Sequence, residues 1–334
     1  MERGSAWIIA IAISAFGLCH AARAQHWPQM TITSGSSAGG SYDVSARLIA
    51  GYLGKYLPGR PQIIVVNVPG AGGLLALNQL YNIAPRDGSA LAVVDGALVF
   101  HALFGNPAAR FDARKFNWIG SRAKETPVCA VRRDSGILSL DDAYDREVIL
   151  GGVGGARTEN VPRALNQILG TKFKIITGYP GTSELILGIE RGEIAGICGW
   201  SWTTIKRRLP AWLAEGKLSI LVQTGMTKAS DLSDVPLALT LVGNDQQRET
   251  MRLLFSDTII ATPLLAPPDT PGPIVGSLRA AFDLAMKDPN LLADAERQQL
   301  DIDPTSGENL QASVDRMFLA SKPTIEAAKS ITQR

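Results

Sequence analysis

Apolar and polar positions alternate between strand-like and helix-like spacing through the first hundred residues. The segments MTITSG (30–35) and QIIVVN (62–67) are predicted strands, and each leads through a glycine turn into apolar positions three and four residues apart. A third strand, ALAVVDG (90–96), follows the turn signal Asp87-Gly88. This βαβαβ series predicts a mainly parallel sheet with helices on both faces.

A second series of the same kind begins near Pro127. Predicted strands VCAVR, EVILGG, FKIITG, EIAGICGW and LSILVQTG enclose the helical patterns VPRALNQILG and SELILGIERG. DTIIAT (257–262) is a further predicted strand, and after the proline-rich PLLAPPDTPGP the pattern is almost all helical. The helical end packs most simply on the first unit, which predicts two crossovers, near residues 125 and 255. We expect α/β domains at 25–125 plus 255–334 and at 126–254.

The first residues have the form of a secretory signal. One arginine precedes the apolar run AWIIAIAISAFGLC, and Ala22-Arg23-Ala24 has the A-x-A form of a cleavage site. We expect export to the periplasm with removal of residues 1–24. The mature chain then has 334 − 24 = 310 residues, with 31 basic and 30 acidic side chains. A charge so close to zero gives no indication of nucleic-acid binding.

Cys129 and Cys198 are the cysteines left after that cleavage. In an oxidising compartment they form either one disulfide or two buried free thiols on neighbouring strands, and the sequence does not decide between these states. Two separated cysteines with His26 and His101 do not predict a metal site.

Three glycine turns each follow an apolar strand and lead into a helix. They are SSAGGS (36–41), PGAGG (69–73) and GGVGGART (151–158). Glycine allows bare N–H groups to approach a ligand, and the positive end of each helix dipole points at the same place. The turns therefore predict an anion site for carboxylate or phosphate. None has the spacing G-x-G-x-x-G, and no P-loop lysine follows, so we expect no cofactor.

The first turn also contains G-x-S-x-G, the nucleophile elbow of serine hydrolases. With Ser37 as nucleophile, Asp87 or Asp95 and then His101 complete the chain order Ser, Asp, His. However, Ser37 follows the first strand of the mature chain, and His101 lies in the apolar stretch LVFHALFG. A secreted serine hydrolase is therefore the alternative to a binding protein.

Several segments together resemble a known family. They are AGGSYDVSARLIAGYL, VVNVPGAGG, APRDGSALAV, FDARKFNWIG, GYPGTSELILGIERGEI and APPDTPGPIV. In order and spacing they are similar to the periplasmic solute receptors of the tripartite tricarboxylate transporter family, also called Bug receptors. The resemblance covers almost all of the mature chain. Its strongest parts are A-G-G-x-x-D-x-x-A-R (38–47) and P-G-A-G-G (69–73).

The resemblance implies a fold, a role and partners. The fold is that of periplasmic binding proteins of type II, with two α/β domains hinged about a ligand cleft. The role is capture of a small carboxylate-bearing metabolite and its delivery to a pair of membrane permease subunits, and the protein is not an enzyme. We expect a monomer without cofactor. Sensing of a metabolite for a signalling partner is a third possible role.

The resemblance also assigns ligand-binding positions. The family's first loop maps to Ser36 through Asp43, its second to Gly70 through Gly73, its second-domain loop to Gly154 through Thr158, and its tyrosine-glycine turn to Tyr179 through Thr182. The candidate ligand-binding residues are Ser36, Ser37, Ala38, Gly39, Gly40, Ser41, Tyr42, Gly70, Ala71, Gly72, Gly73, Gly154, Gly155, Arg157, Thr158, Tyr179, Thr182 and Trp200.

This chain departs from the family pattern within the first loop. Ser37, Ser41 and Tyr42 stand where Pro, Gly and Thr are usual, and Val68 stands where a basic residue is common. Additional hydroxyls and a lost positive charge indicate a ligand with more hydroxyl groups or fewer carboxylates. Asp43 is expected to brace its loop and helix, because a carboxylate repels an anion.

Overall fold

The computed structural model describes residues 27–154, 156–179 and 181–332, so the predicted signal peptide lies outside the described residues. The strands are β1 Gln29–Ser34, β2 Gln62–Asn67, β3 Ala90–Val93, β4 Asn117–Ser121, β5 Pro127–Arg132, β6 Val148–Gly151, β7 Phe173–Ile176, β8 Gly196–Ser201, β9 Leu218–Gln223, β10 Pro263–Ala266 and β11 Thr305–Ser306. The helices are α1 Ser41–Leu53, α2 Leu74–Asn82, α3 Val99–Leu103, α4 Asp142–Asp145, α5 Arg157–Leu169, α6 Thr182–Glu190, α7 Trp202–Arg208, α8 Pro210–Ala214, α9 Asp245–Phe255, α10 Gly272–Ala285, α11 Pro289–Arg297, α12 Gly307–Phe318 and α13 Lys322–Thr332.

The strands form two mixed sheets. In the first, the order is β11-β4-β10-β3-β1-β2, with β1 parallel to β2 and β3, and with β10 antiparallel to β3 and β4. In the second, the order is β7-β6-β8-β5-β9, with β6 parallel to β7 and β8, and with β5 antiparallel to β8 and β9. The predicted α/β class is confirmed. We call the first sheet, with the helices packed on it, the first lobe. The second sheet with its helices is the second lobe.

One predicted strand is wrong. Residues 257–262 were expected to be extended, but the structure has a 3-10 turn over Ser256–Ile260, and the strand β10 follows at Pro263–Ala266. Apolar residues occur in both segments, so the pattern does not fix where the strand begins. Proline has no N–H to donate to a neighbouring strand, and it is tolerated at the first position of a strand, where β10 has Pro263. The apolar pattern also did not predict β4.

Hydrophobic cores lie on both faces of each sheet. On one face of the first sheet α1, α10 and α11 bury Ile32, Ile49 and Phe282, and on the second sheet α6 and α7 bury Leu185 and Ile197. A third cluster is continuous from the first sheet to the second. Each fully buried side chain of this size contributes about 1.5–3 kcal/mol of hydrophobic free energy, so both lobes are stabilised largely by helix-to-sheet packing.

The chain runs between the lobes more than once. β10 and β11 return to the first sheet after β9 has completed the second, whereas the last helix, α13, packs against α5 and α9. The predicted domain limits stay a prediction.

The two crossover segments, residues 122–126 and 256–262, are joined to each other. The N–H of Glu125 donates to the carbonyl of Thr258 at 2.9 Å, and the N–H of Thr262 donates to Oγ of Ser121 at 3.4 Å. Away from the crossovers, Oγ1 of Thr203 on α7 donates to the carboxylate of Asp301 in the first lobe. The lobes are therefore connected by the two paired crossover segments, together called the hinge, and by at least one hydrogen bond away from them.

Cys129 on β5 and Cys198 on β8 form a disulfide in the structure, and both are fully buried. Of the two states that the sequence leaves open, this is the one observed. Over the residues that the structure covers, every helix is too short or too polar to span a bilayer.

Candidate functional site

The first glycine loop connects β1 to α1 and is open to solvent over Ser37, Ala38 and Gly39. Gly39 has a φ of 79°, a left-handed conformation that glycine adopts without cost. The N–H of Gly40 turns back to the carbonyl of Ser37 at 3.0 Å. The loop is thus a tight turn at the start of a helix, as the sequence predicts.

Asp43, in the first turn of α1, holds this loop in place. Its carboxylate accepts from the N–H of Gly39 at 2.8 Å, from Nε of Arg47 at 3.0 Å and from Nδ2 of Asn67 at 2.8 Å. Asn67, at the end of β2, also donates to the carbonyl of Ser36 at 2.9 Å. Hydrogen bonds to Arg47, Gly39 and Asn67 outweigh burial, and they hold the pKa of Asp43 below its usual value. Asp43 therefore acts in bracing, as expected.

The second glycine loop connects β2 to α2 and has an unusual backbone. Gly70, Ala71, Gly72 and Gly73 all have positive φ, at 154°, 46°, 67° and 102°. A Cβ on Gly72 would have nothing within 4 Å, so this position faces open space. A Cβ on Gly35 would lie 3.1 Å from Cα of Gly73, which places the first and second loops in direct contact.

The second-lobe loop connects β6 to α5. Its predicted site residue Thr158 accepts from the N–H of Val153 through Oγ1 at 3.0 Å and so shapes the loop internally. Gly154 is exposed, with open space where a Cβ would be. Gly155 lies outside the described residues.

Arg157, the first residue of α5, forms ion pairs with one carboxylate from each crossover segment. Its Nε and Nη2 donate to Oδ2 of Asp257 at 3.0 and 2.7 Å, and its Nη1 donates to Glu125 at 2.5 Å. The side chain of Arg157 is 18% exposed and that of Asp257 is 4% exposed. Both carboxylates already occupy the guanidinium of Arg157. Its direct contact with a ligand therefore stays a prediction.

The hydroxyl of Tyr42 lies at the junction of the two lobes. Burial raises its pKa well above the ordinary tyrosine value, and the negative charges of Asp95 and Glu125 raise it further, while the charge of Arg157 opposes them. Tyr42 is the second residue of α1 in the first lobe, and Arg157 is the first residue of α5 in the second. The N-terminal turns of these helices are therefore near enough for their charged groups to interact.

The remaining predicted site residues of the second lobe belong to its hydrophobic cluster or to the start of α6. Tyr179 packs its ring over Gly188 of α6, and its hydroxyl donates to Glu193 at 3.4 Å. Thr182 is the first residue of α6 and is half-buried. Trp200 is 2% exposed and belongs to the same hydrophobic cluster as Val153 and Tyr179. Trp200 is thus a core residue that packs in the same cluster as the loop residues Val153 and Tyr179. Its contact with a ligand stays a prediction.

The alternative hydrolase triad does not assemble among the described side chains. Nδ1 of His101 is hydrogen-bonded to Nδ2 of Asn106 at 2.7 Å, and the carboxylate of Asp87 accepts from Ser89. Asp95 caps the 3-10 turn that follows β3 by accepting from the N–H of Ala97 at 2.9 Å. Burial lowers the pKa of His101. No described hydrogen bond joins Ser37 to His101.

Three groups at the junction were not predicted as site residues. Glu125 and Asp257 come from the two crossovers, and Asp95 was considered only for the hydrolase. Of these three residues, Asp95 is the one that the sequence could have indicated. It follows the end of a buried parallel strand, and ligands bind at that end of the strands in α/β folds. Over the described residues no group of three or more His, Cys, Asp or Glu side chains is arranged to hold a metal.

Comparison with known proteins identifies the family. The family described as "Tripartite tricarboxylate transporter family receptor" matches residues 46–326. The chain belongs to this family. The chain is also 30% identical, over 300 residues, to the "UPF0065 protein in gbd 5'region" of Cupriavidus necator, a match that covers 84% of this chain and 83% of that protein.

Solved structures share the fold. A TctC solute binding protein from Polaromonas, solved without ligand, has a TM-score of 0.68 at 22% identity and covers 91% of this chain and 97% of its own. An R. palustris protein solved with adipate has a TM-score of 0.67 at 18% identity and covers 90% of this chain and 98% of its own. The fold of this chain is therefore that of these solved structures.

Proposed function

We propose that this receptor is exported to the periplasm, binds a small carboxylate-bearing metabolite between its lobes and delivers it to a pair of permease subunits. The observation that carries the proposal is the contact between the first and second glycine loops at the start of α1 and α2. Tyr42, in the first turn of α1, also interacts electrostatically with Arg157 at the start of α5. Helix starts from both lobes direct partial positive charge and N–H groups toward the space between them.

Specific N–H groups are available for an anion. Those of Ser41, Ala71 and Gly72 lie in the first turn of α1 or of the 3-10 turn Ala71–Gly73, where N–H groups have no partner within the helix. Three or four charge-assisted bonds at about 1.5–3 kcal/mol each come to about the 8 kcal/mol of a micromolar complex before association costs are subtracted. Such affinity suits capture followed by release.

The fold relatives support the class of ligand. The R. palustris neighbour was solved with adipate, a dicarboxylate. Glycine loops that bind through backbone groups leave the side chains around them free to select the rest of the molecule. We therefore propose a carboxylate for this chain and not adipate itself.

A binding screen tests the proposal. Mature protein is mixed with mono-, di- and tricarboxylates, aromatic acids and acidic amino acids, and its melting temperature is measured. A ligand at 100 times its Kd stabilises the folded state by about 2.7 kcal/mol, which gives a measurable rise in melting temperature. Isothermal titration then gives Kd and stoichiometry. Stabilisation by uncharged analogues alone would contradict the proposal.

Replacing Gly72 by valine is expected to weaken carboxylate binding about 100-fold or more, because a branched Cβ projects into the open space that the anion approaches. The same change costs about 1–2 kcal/mol of folding free energy, since Gly72 has a φ of 67°. Titration of the variant with the carboxylate found in the screen measures the loss of affinity.

Gly105→Val is the matched control. Gly105 has a φ of 70° and nothing within 4 Å of a built Cβ, but it lies beyond α3, away from the glycine loops. The control variant should lose similar stability and keep its affinity. Equal affinities for the Gly72 and Gly105 variants would remove the second loop from the site.

A further inference from the structure

A groove of about 380 Å³ lies between the two lobes, and we call it the side groove. Its second-lobe wall is one face of α7, where Thr203, Lys206 and Arg207 are three and four residues apart. Its first-lobe wall consists of α11 and the segment that follows it, which include Glu296 and Asp301. Because the two walls belong to different lobes, the width of the groove depends on the angle between the lobes.

The side groove borders the first crossover segment on both of its walls. In the second lobe the N–H of Trp202, the residue before Thr203, donates to the carbonyl of Thr126 at 3.3 Å. In the first lobe the N–H of Asp303 donates to the carbonyl of Arg122 at 3.1 Å. The groove therefore lies directly beside the hinge.

The side groove also lies at the edges of the sheets that carry the candidate ligand loops. α7 follows the end of β8, which is parallel to β6, so α7 and α5 start at the same edge of the second sheet. In the first lobe, Arg122 donates through Nε to Oγ of Ser45 at 3.2 Å and through Nη1 to the carbonyl of Asp301. Ser45 is about one helical turn beyond the first glycine loop. A rotation that brings the loops of the two lobes together therefore also narrows the side groove.

Two opposite charges line the side groove on its two walls. Arg207, on α7, is half-buried, and Glu296, on α11, is exposed. Within the part of the chain that the structure describes, neither side chain takes part in an ion pair or a hydrogen bond. The two charges are therefore available to each other once the walls approach.

The charged groups around this pair already have partners of their own. Ion pairs or hydrogen bonds join Lys206 to Asp231, Thr203 to Asp301 and Arg297 to Asp294. Burial lowers the pKa of Arg122, the charges of Glu125 and Asp301 oppose this, and the charge of Arg207 lowers it again. Arg207 thus lies near a second cation, and an anionic partner on the facing wall stabilises it.

We infer that Arg207 and Glu296 form an electrostatic latch, an ion pair that joins the walls of the side groove when the lobes close over a ligand. The inference rests on the proposed function and adds a device that tunes the affinity of the same site. An ion pair made only in the closed form stabilises that form, and by linkage it tightens the binding of a ligand held between closed lobes. At an exposed position such a pair changes the equilibrium about two- to fivefold.

Exchanging the two charges tests the latch. In Arg207→Glu two carboxylates face each other across the groove, and isothermal titration should give an affinity about two- to fivefold lower for the carboxylate found in the screen. Arg207→Glu combined with Glu296→Arg restores the opposite charges and should restore the affinity. A double variant that binds no better than Arg207→Glu would overturn the inference and leave the proposed function intact.

Arg133→Glu is the matched control for the change of charge. Arg133 is exposed and follows β5, which is antiparallel to β8, so it lies at the opposite edge of the second sheet. Its affinity should equal that of the unaltered protein. In about 1 M salt the Debye length falls to about 3 Å, and the affinities of Arg207→Glu and the unaltered protein should converge. A difference that persists in high salt would show that the substitution acts through packing and would overturn the latch.

The movement itself is measured with spin labels. Labels on Arg207→Cys and Glu296→Cys report the distance between the two walls by pulsed electron paramagnetic resonance, and this distance should shorten when the carboxylate is added. A distance that stays the same or lengthens while the carboxylate binds would overturn the latch alone. If no carboxylate of the screen binds, the latch and the proposed function both fail.

Discussion

Replacing Arg157 by methionine is expected to lower the free energy of unfolding by about 4 kcal/mol, because it leaves two hinge carboxylates without their positive partner. The side chains of Asp257 and Glu125 are 4% and 29% exposed, so water compensates little at Asp257 and partly at Glu125. Methionine keeps most of the side-chain volume, and the loss therefore reports charge and hydrogen bonding. Urea unfolding of both proteins measures the difference.

The pH dependence of this loss has a definite sign. Burial raises the pKa of Asp257, and Arg157 opposes that rise, so the variant should have a still higher pKa at this carboxyl. A carboxyl whose pKa is raised in the folded state binds more protons there than in the unfolded chain, and stability then falls as pH rises through the raised pKa. The deficit of the variant should be smaller at about pH 5 than at pH 7.

Two further variants control the Arg157 experiment. Arg157→Met combined with Asp257→Asn should recover part of the loss, since the more buried of the two uncompensated charges is gone. Arg86→Met removes an exposed ion pair with Asp269 and should change stability by about 0.5 kcal/mol or less. A loss for Arg157→Met no larger than that for Arg86→Met would show that the hinge carboxylates do not depend on the guanidinium.

Replacing Gly96 by alanine is expected to cost about 3 kcal/mol, because the added methyl would lie 1.8 Å from the carbonyl oxygen of Ile260. Both sides of this contact are backbone, so no side-chain rotation relieves it. The turn after β3 and the second crossover must move apart, which also shifts Asp95. Thermal and urea unfolding measure the loss.

Gly276→Ala provides the comparison for Gly96. Gly276 lies inside α10, and a built Cβ meets nothing within 4 Å. The helix propensity of alanine should make this variant up to about 1 kcal/mol more stable. If the Gly96 and Gly276 variants unfold alike, the contact between the turn and the crossover is not as tight as the structure has it.

The strands and helices of both series follow from apolar periodicity because those patterns are strong and local. Met30 and Ile32 alternate toward one buried face of β1, and Ile49 and Leu53 recur at helical spacing in α1. The strand after the second lobe could not be located in the same way, because most residues on both sides of Pro263 are apolar. Its place is set by pairing with β3 and β4, which are distant in the sequence.

In the candidate site, too, local features could be predicted from the sequence and long-range contacts could not. Glycine turns are visible in the sequence because their chemistry is local, and Asp43 could be assigned to bracing from its place in the first helical turn. The group around Arg157 could not be predicted, since Asp257 is 100 residues away along the chain and Glu125 is 32 residues away. Only the folded hinge brings these charges together.

The order of strands in the first sheet also constrains synthesis. β10 lies between β3 and β4, so the segment from Pro263 to Ala266 joins two strands made much earlier. A nascent chain that ends before Pro263 lacks the strand that links β3 to β4, and apolar residues such as Leu91 and Ile119 remain uncovered by α10. The first lobe is therefore completed only after translation has entered the last quarter of the coding sequence.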